Sequence, residues 1–193
     1  MLKKAVLFHG TDSNPDDFWF PWLQSYLEQK GYKVYAPLLP NNHIPNKNIY
    51  DDFLKNSGWD FSDNLLIGLS SGATTILNLL QSEWFPKVKA CVLAGTFLNE
   101  KLTKDADWVI KGQFDNLFLD SYRPNIMLKK CNKFYFIHGS NDPYCDINDA
   151  KELSGKLNGT FITIKNGHHL GKTSGLLDLP QLIKALEKDH ILD

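Results

Sequence analysis

Short apolar runs alternate with longer amphipathic stretches along the chain. Residues 5–8, 33–36, 65–67, 88–94, 134–137 and 161–164 are apolar runs of strand length, each bounded by turn residues. Between them lie helical patterns. Pro21 suits a first helical position, Trp22, Leu23, Tyr26 and Leu27 recur at helical spacing, and Gly31 ends the run. Residues 49–55, 73–80 and 149–157 are amphipathic, with Asp146 as an N-cap for the last of these. A final helix over 180–188 turns Leu182, Ile183 and Leu186 inward. No repeat or low-complexity tract interrupts the alternation.

Strands that read as continuous apolar runs are buried on both faces, and alternation with helices gives parallel pairing. The predicted fold class is α/β, with a mostly parallel sheet of about six strands flanked by helices on both faces. One domain over 1–193 accounts for the length. The stretch 97–130 breaks the rhythm and carries Trp108, Phe114, Phe118 and Tyr122. It reads either as a small cap over a site or as an irregular crossover.

Composition narrows the partners. The formal net charge is −1, which excludes the basic footprint of a nucleic-acid binder and a polybasic membrane patch. The apolar start meets His9 and Gly10 too early for a secretory or membrane-spanning segment, so it reads as a first strand. Three scattered cysteines, Cys91, Cys131 and Cys145, fit reduced thiols in a cytoplasmic protein. No cluster with metal-ligand spacing appears, so neither a metal nor an organic cofactor is expected. Nothing in the pattern assigns an oligomeric state.

Three polar residues each follow a strand: Ser70 after LLIGL, Asp142 after FYFIHGSN, and His168 after FITIKNG. Ligands bind at the carboxyl ends of strands in an open parallel sheet. The chain order Ser, Asp, His is that of a nucleophile-elbow hydrolase. Gly68 and Gly72 frame Ser70 as G-x-S-x-G, which leaves Ser71 outside the frame. Ser70 is then the nucleophile, His168 the base and Asp142 its orienting acid. The backbone N–H groups of Ser71 and Thr11 are the expected oxyanion donors, with the Ser71 side chain optional. His169 competes with His168 but reads better as a capping or solvent-facing residue. His9, Leu69, His169 and Trp108 are candidate substrate contacts. His9 is otherwise a structural residue, and His43 and His138 read as structural or surface histidines. Asp146 and Asp149 fit a helix start better than the triad.

These motifs together resemble the small α/β-hydrolases of the YdeN and retinoblastoma-binding-protein-9 type. The resemblance rests on FHG near the start, WFPWLQSYLEQKG, GLSSG, SNDPYC and the tail NGHHLGKTSGLLDLP. It spans nearly the whole chain. It implies an α/β-hydrolase fold with a minimal cap and a serine hydrolase acting on a small acyl substrate, esterase-like or aminopeptidase-like. It also favours His168, because the family histidine directly follows glycine. Leu69 departs from a common histidine, and His169 from a common phenylalanine. The competing expectation is a non-catalytic protein-interaction module on the same fold. The pocket-protein signature L-x-C-x-E is missing at all three cysteines, so the resemblance does not carry that role over.

Overall fold

The computed structural model describes residues 2–193. Six parallel strands form one sheet in the order β2-β1-β3-β4-β5-β6. They are β1 (Lys3–Phe8), β2 (Tyr32–Tyr35), β3 (Leu65–Leu69), β4 (Ala90–Ala94), β5 (Phe134–Gly139) and β6 (Thr160–Ile164). The helices are α1 (Phe20–Gln29), α2 (Lys47–Lys55), α3 (Ser71–Leu79), α4 (Pro124–Met127), α5 (Ile147–Lys156) and α6 (Pro180–Lys188). All six strands and the five longer helices lie where the apolar pattern places them. The four-residue α4 and a 3₁₀ turn over Lys172–Ser174 were not anticipated.

The period of two along each strand sorts the core into two layers. Ala5, Leu7, Leu65, Ile67, Val92, Tyr135 and Ile137 pack with α1 and α6 on one face. Val6, Phe8, Leu66, Cys91, Leu93, Phe134 and Phe136 pack with α2, α3 and α5 on the other. The result is three layers, α/β/α. Helix α3 is buried along its full length, which explains its uniformly small or apolar sequence SGATTILNL. Asp146 caps α5 as expected, accepting from the Asn148 amide at 2.9 Å. Among the described residues, no helix is long and apolar enough to cross a membrane. The three cysteines are free and buried.

The stretch after β4 carries turns until Arg123 caps α4. It is tied back to the body at several points. Thr74 Oγ1 donates to Phe97 O. Asn78 Nδ2 donates to Leu117 O at 2.8 Å, and the Lys47 amide to Asn116 O at 2.8 Å. Phe97, Phe114, Leu117 and Cys145 form a small core of their own beneath it.

The loops leaving β1 and β5 share a device. His9 and His138 each precede a glycine at a strand end. His9 Nδ1 donates to Gly10 O at 2.8 Å, and Nε2 accepts the Leu39 amide at 2.9 Å. His138 Nε2 accepts the Thr96 amide at 3.0 Å while its ring stacks on Phe161. Both rings must be neutral to accept those amides. Burial is the main cause that lowers both pKa values, opposed at His9 by Gly10 O and Asp17. At His138 burial pushes the pKa down to about 4, with the Asp142 charge opposing and His169 adding to the fall. An unfolded imidazole takes up its proton near the usual 6.5, before the folded one does, so stability is complete above that pH and drains away below it. The urea midpoint of the wild-type protein is therefore expected to fall as pH drops from about 6.5 towards 4. His138→Gln, which cannot titrate, should flatten that slope. A flat wild-type profile over this window would contradict the assignment of neutral buried histidines.

Candidate active site

The sheet order reverses beside β1, so the loops after β1 and β3 leave in opposite directions and open a crevice at their carboxyl ends. Ser70 sits there, between the last residue of β3 and the first of α3, with φ 57° and ψ −121°. This is strained backbone for a residue with a side chain, and such strain collects at functional turns. The turn is held by Ser70 N–H donating to Ala94 O at 2.8 Å, and by Ser70 O accepting from Ala73 and Thr74 amides. The framing glycines are steric necessities. A Cβ on Gly72 would lie 2.1 Å from Phe8 O, and one on Gly68 would lie 2.5 Å from Gly72 C. Ser71 begins α3, where the amide has no intrahelical partner and the helix dipole is positive. Thr11 Oγ1 donates to Ser71 Oγ at 2.9 Å, so the Ser71 side chain links the two residues whose amides are the expected oxyanion donors.

The histidine that partners Asp142 differs from the expected one. His169, not His168, meets Asp142, with Nδ1 at 2.9 Å from Oδ2 and 3.1 Å from Oδ1. Three residues of this loop, Asn166, His168 and Leu170, have positive φ. The His168 amide donates to Asn141 Oδ1 at 2.9 Å, and its ring lies 3.4 Å from Asn141 Nδ2, turned away from Asp142. Trp19 Nε1 donates to Leu170 O at 2.9 Å and pins the far side. His169 lies between these anchors, its ring edge-on to Tyr144 and packed against Gly95. The chain turns through the left-handed region at His168, so the side chain after it, not the one directly after the glycine, meets Asp142.

The Asp142 side chain is fully buried, and it accepts from the Tyr144 and Cys145 amides at 2.9 and 3.1 Å. Burial alone would raise its pKa. The His169 hydrogen bond and charge, with the two amides, outweigh that and hold the carboxyl below its ordinary value. An ionised Asp142 fixes the His169 proton on Nδ1 and leaves Nε2 as acceptor. Asp142, Cys145 and His169 offer ligand atoms within 4.8 Å of one another. Those atoms are already engaged: Cys145 Sγ donates to Gly95 O, and burial followed by the Asp142 charge keeps it a thiol.

Ser70 and His169 line one cavity of about 200 Å³ with Thr11, Asp12, Phe97, Thr103, Trp108, Phe114 and Tyr144. No hydrogen bond joins Ser70 to His169 among the described residues, and such contacts often tighten only around substrate. Of the candidate substrate contacts, His169 and Trp108 are there. His9 and Leu69 are not, because His9 is committed to backbone partners and Leu69 is buried in the core with β1 and β4. Asp12, Phe97, Thr103, Phe114 and Tyr144 were missed. Tyr144 stands inside SNDPYC and Phe97 just past β4, so strand-end position alone was an available signal for both.

The family model for serine hydrolases matches residues 5–188. The chain belongs to this serine hydrolase family. Among solved structures, the ydeN gene product of Bacillus subtilis superposes with a TM-score of 0.84 at 19% identity, covering 96% of this chain and 97% of that one. Est1E of Butyrivibrio proteoclasticus, with ferulic acid bound, gives 0.67 at 13% identity, covering 98% and 88%. Carboxylesterase CesB (YbfK) of Bacillus subtilis gives 0.62 at 14%, covering 95% and 81%. At these identities the likeness establishes the α/β-hydrolase fold. Among curated proteins no match was found.

The steric role of the elbow is directly measurable. Gly72→Ala should lower the unfolding free energy by about 3 kcal/mol or more through overpacking against β1, despite the better helix propensity of alanine. Gly155→Ala, in α5 where a Cβ meets nothing within 4 Å, should shift it by no more than about 1 kcal/mol. Equal urea midpoints for the two variants would remove the constraint.

Proposed function

We propose that the protein hydrolyses a small carboxylic ester, thioester or amide through an acyl-enzyme on Ser70, with His169 as the base and Asp142 as its orienting acid. The observation that carries this reading is the Asp142–His169 pair facing the same cavity as the strained Ser70. Ser70 Oγ attacks the carbonyl carbon as His169 Nε2 takes its proton. The imidazolium, stabilised by Asp142, returns that proton to the leaving group. The oxyanion is met by the amides of Ser71 and Thr11, each worth roughly a factor of 10² to 10³ in rate. Water then repeats the sequence on the acyl-enzyme, freeing the acid and restoring Ser70.

The cavity of about 200 Å³ is smaller than a typical drug-sized site, so a short acyl group fits the reading best. The carboxylesterase among the structural neighbours supports an ester as the first substrate to assay. The segment after β4 supplies Phe97, Trp108 and Phe114 to the cavity and acts as a minimal cap.

A fluorophosphonate probe should label Ser70 in the folded protein, and Ser70→Ala should abolish both labelling and ester turnover. His169→Ala should lower kcat by about 10³ or more, whereas His168→Ala should stay within a few-fold of wild type. A large loss at His168 with little at His169 would overturn the assignment of the base. Intact folding without labelling or turnover would favour a binding module instead.

A further inference from the structure

Thr103 lies in the segment that covers the cavity, is fully buried, and lines the wall shared with Ser70. Its hydroxyl has no hydrogen-bond partner. The backbone around it is satisfied: the Thr103 amide donates to Glu100 O at 3.0 Å, and Thr103 O accepts from the Ala106 amide at 2.9 Å. A threonine in a helical turn ordinarily returns its hydroxyl to a carbonyl three or four residues back. Thr75 does so onto Ser71 O at 2.9 Å, and Ser174 onto Gly171 O at 2.6 Å. Thr103 makes no such bond. A buried hydroxyl left alone costs as much as a lost hydrogen bond, so its retention at a cavity wall points to a partner brought by the ligand.

The rest of the wall restricts what that partner is. Phe97, Trp108, Phe114 and Tyr144 present aromatic carbon, which offers a solvent molecule few hydrogen-bonding sites. Asp12 is the charged side chain on the lining, and no lysine or arginine joins it among the described residues. Asp12 Oδ1 lies 2.6 Å from His43 Nδ1, and an anionic substituent would face this carboxylate with no lysine or arginine on the lining to offset it among the described residues. A neutral hydroxyl gives and accepts one hydrogen bond and meets no such penalty.

Resting on the serine hydrolase reading above, we propose that Thr103 reads a hydroxyl on the acyl group, so that the site takes a short hydroxyacyl ester in preference to the plain alkanoyl ester. Hydrogen-bonding sites discriminate strongly against analogues lacking the bonded group, because a buried polar atom is then left unpaired. Thr103 is in this sense a specificity residue of the same site, and it takes no part in proton transfer.

The test compares p-nitrophenyl butyrate with its 2-hydroxy and 3-hydroxy counterparts. Each kcat/KM is divided by the alkaline hydrolysis rate of the same ester, which removes differences in intrinsic reactivity. Wild type should favour one hydroxylated ester by about tenfold or more. Thr103→Val, which keeps the shape and removes the hydroxyl, should erase the preference without lowering Tm. Thr103→Ser, which keeps the hydroxyl, should retain it, and Thr103→Ala provides a second deletion should the valine variant not fold. Turnover of all three esters with no preference in wild type would overturn this proposal and leave the hydrolase reading standing. A preference that survives in Thr103→Val or Thr103→Ala would also overturn it. No turnover of any ester together with no probe labelling at Ser70 would instead bring down the hydrolase reading and this inference with it.

Discussion

At the carboxyl end of the sheet, main chain packs directly on main chain, and the site depends on that contact. Gly72 brings the start of α3 against the end of β1, where a Cβ would come within 2.1 Å of Phe8 O. Gly139 brings the end of β5 against the histidine loop, where a Cβ would come within 2.0 Å of His168 O. The first contact sets the Ser70 hydroxyl beside the Thr11 loop. The second sets where the histidine loop reverses. Side chains in these positions would push each loop outward by more than a catalytic hydrogen bond tolerates, since misplacement of about 1 Å is already costly to catalysis.

The second contact explains why His169 and not His168 faces Asp142. With Gly139 leaving room for the carbonyl of His168 to pack against it, and Asn141 Oδ1 accepting the His168 amide, the backbone at His168 is fixed on both sides. The chain turns through the left-handed region there, and the next side chain faces the sheet. Trp19, from the far side of the β1 loop, fixes Leu170 O and closes the arrangement. The His169 ring is thus positioned by three elements that are remote in sequence. None of them touches the imidazole through its reactive nitrogen.

Much of this was legible in the residues. The period of two in the strands and the run lengths are local properties, and they gave the two-layered core and all six strands. The G-x-S-x-G frame is legible as a local pattern, although only Gly68 answers to a contact within the turn, while Gly72 answers to the end of β1. Asp142 was legible because strand-end position and a following N-cap leave little ambiguity between it and Asp146. The choice between two adjacent histidines was not legible. It turns on a backbone reversal enforced by Gly139, about thirty residues earlier, and the pattern of types after β6 contains no trace of that. The cavity wall was illegible for a related reason. Thr103 and Phe114 come from a segment of irregular turns, where neither period of side-chain direction applies, whereas Phe97 follows β4 closely enough for strand-end position to flag it.

Two kinds of histidine surround this crevice, and the difference between them is physical. His9 and His138 stay neutral because burial opposes their charge and each accepts a main-chain amide. They hold the loops that carry Thr11 and Asp142. His169 faces a carboxylate in place of an amide donor, with Nδ1 at 2.9 Å from Asp142 Oδ2. The same residue type accepts a main-chain amide in the first setting and donates to a carboxylate in the second. A mutation that exchanged Asp142 for an uncharged acceptor would move His169 towards the first kind: still oriented, but without the negative charge that stabilises its imidazolium.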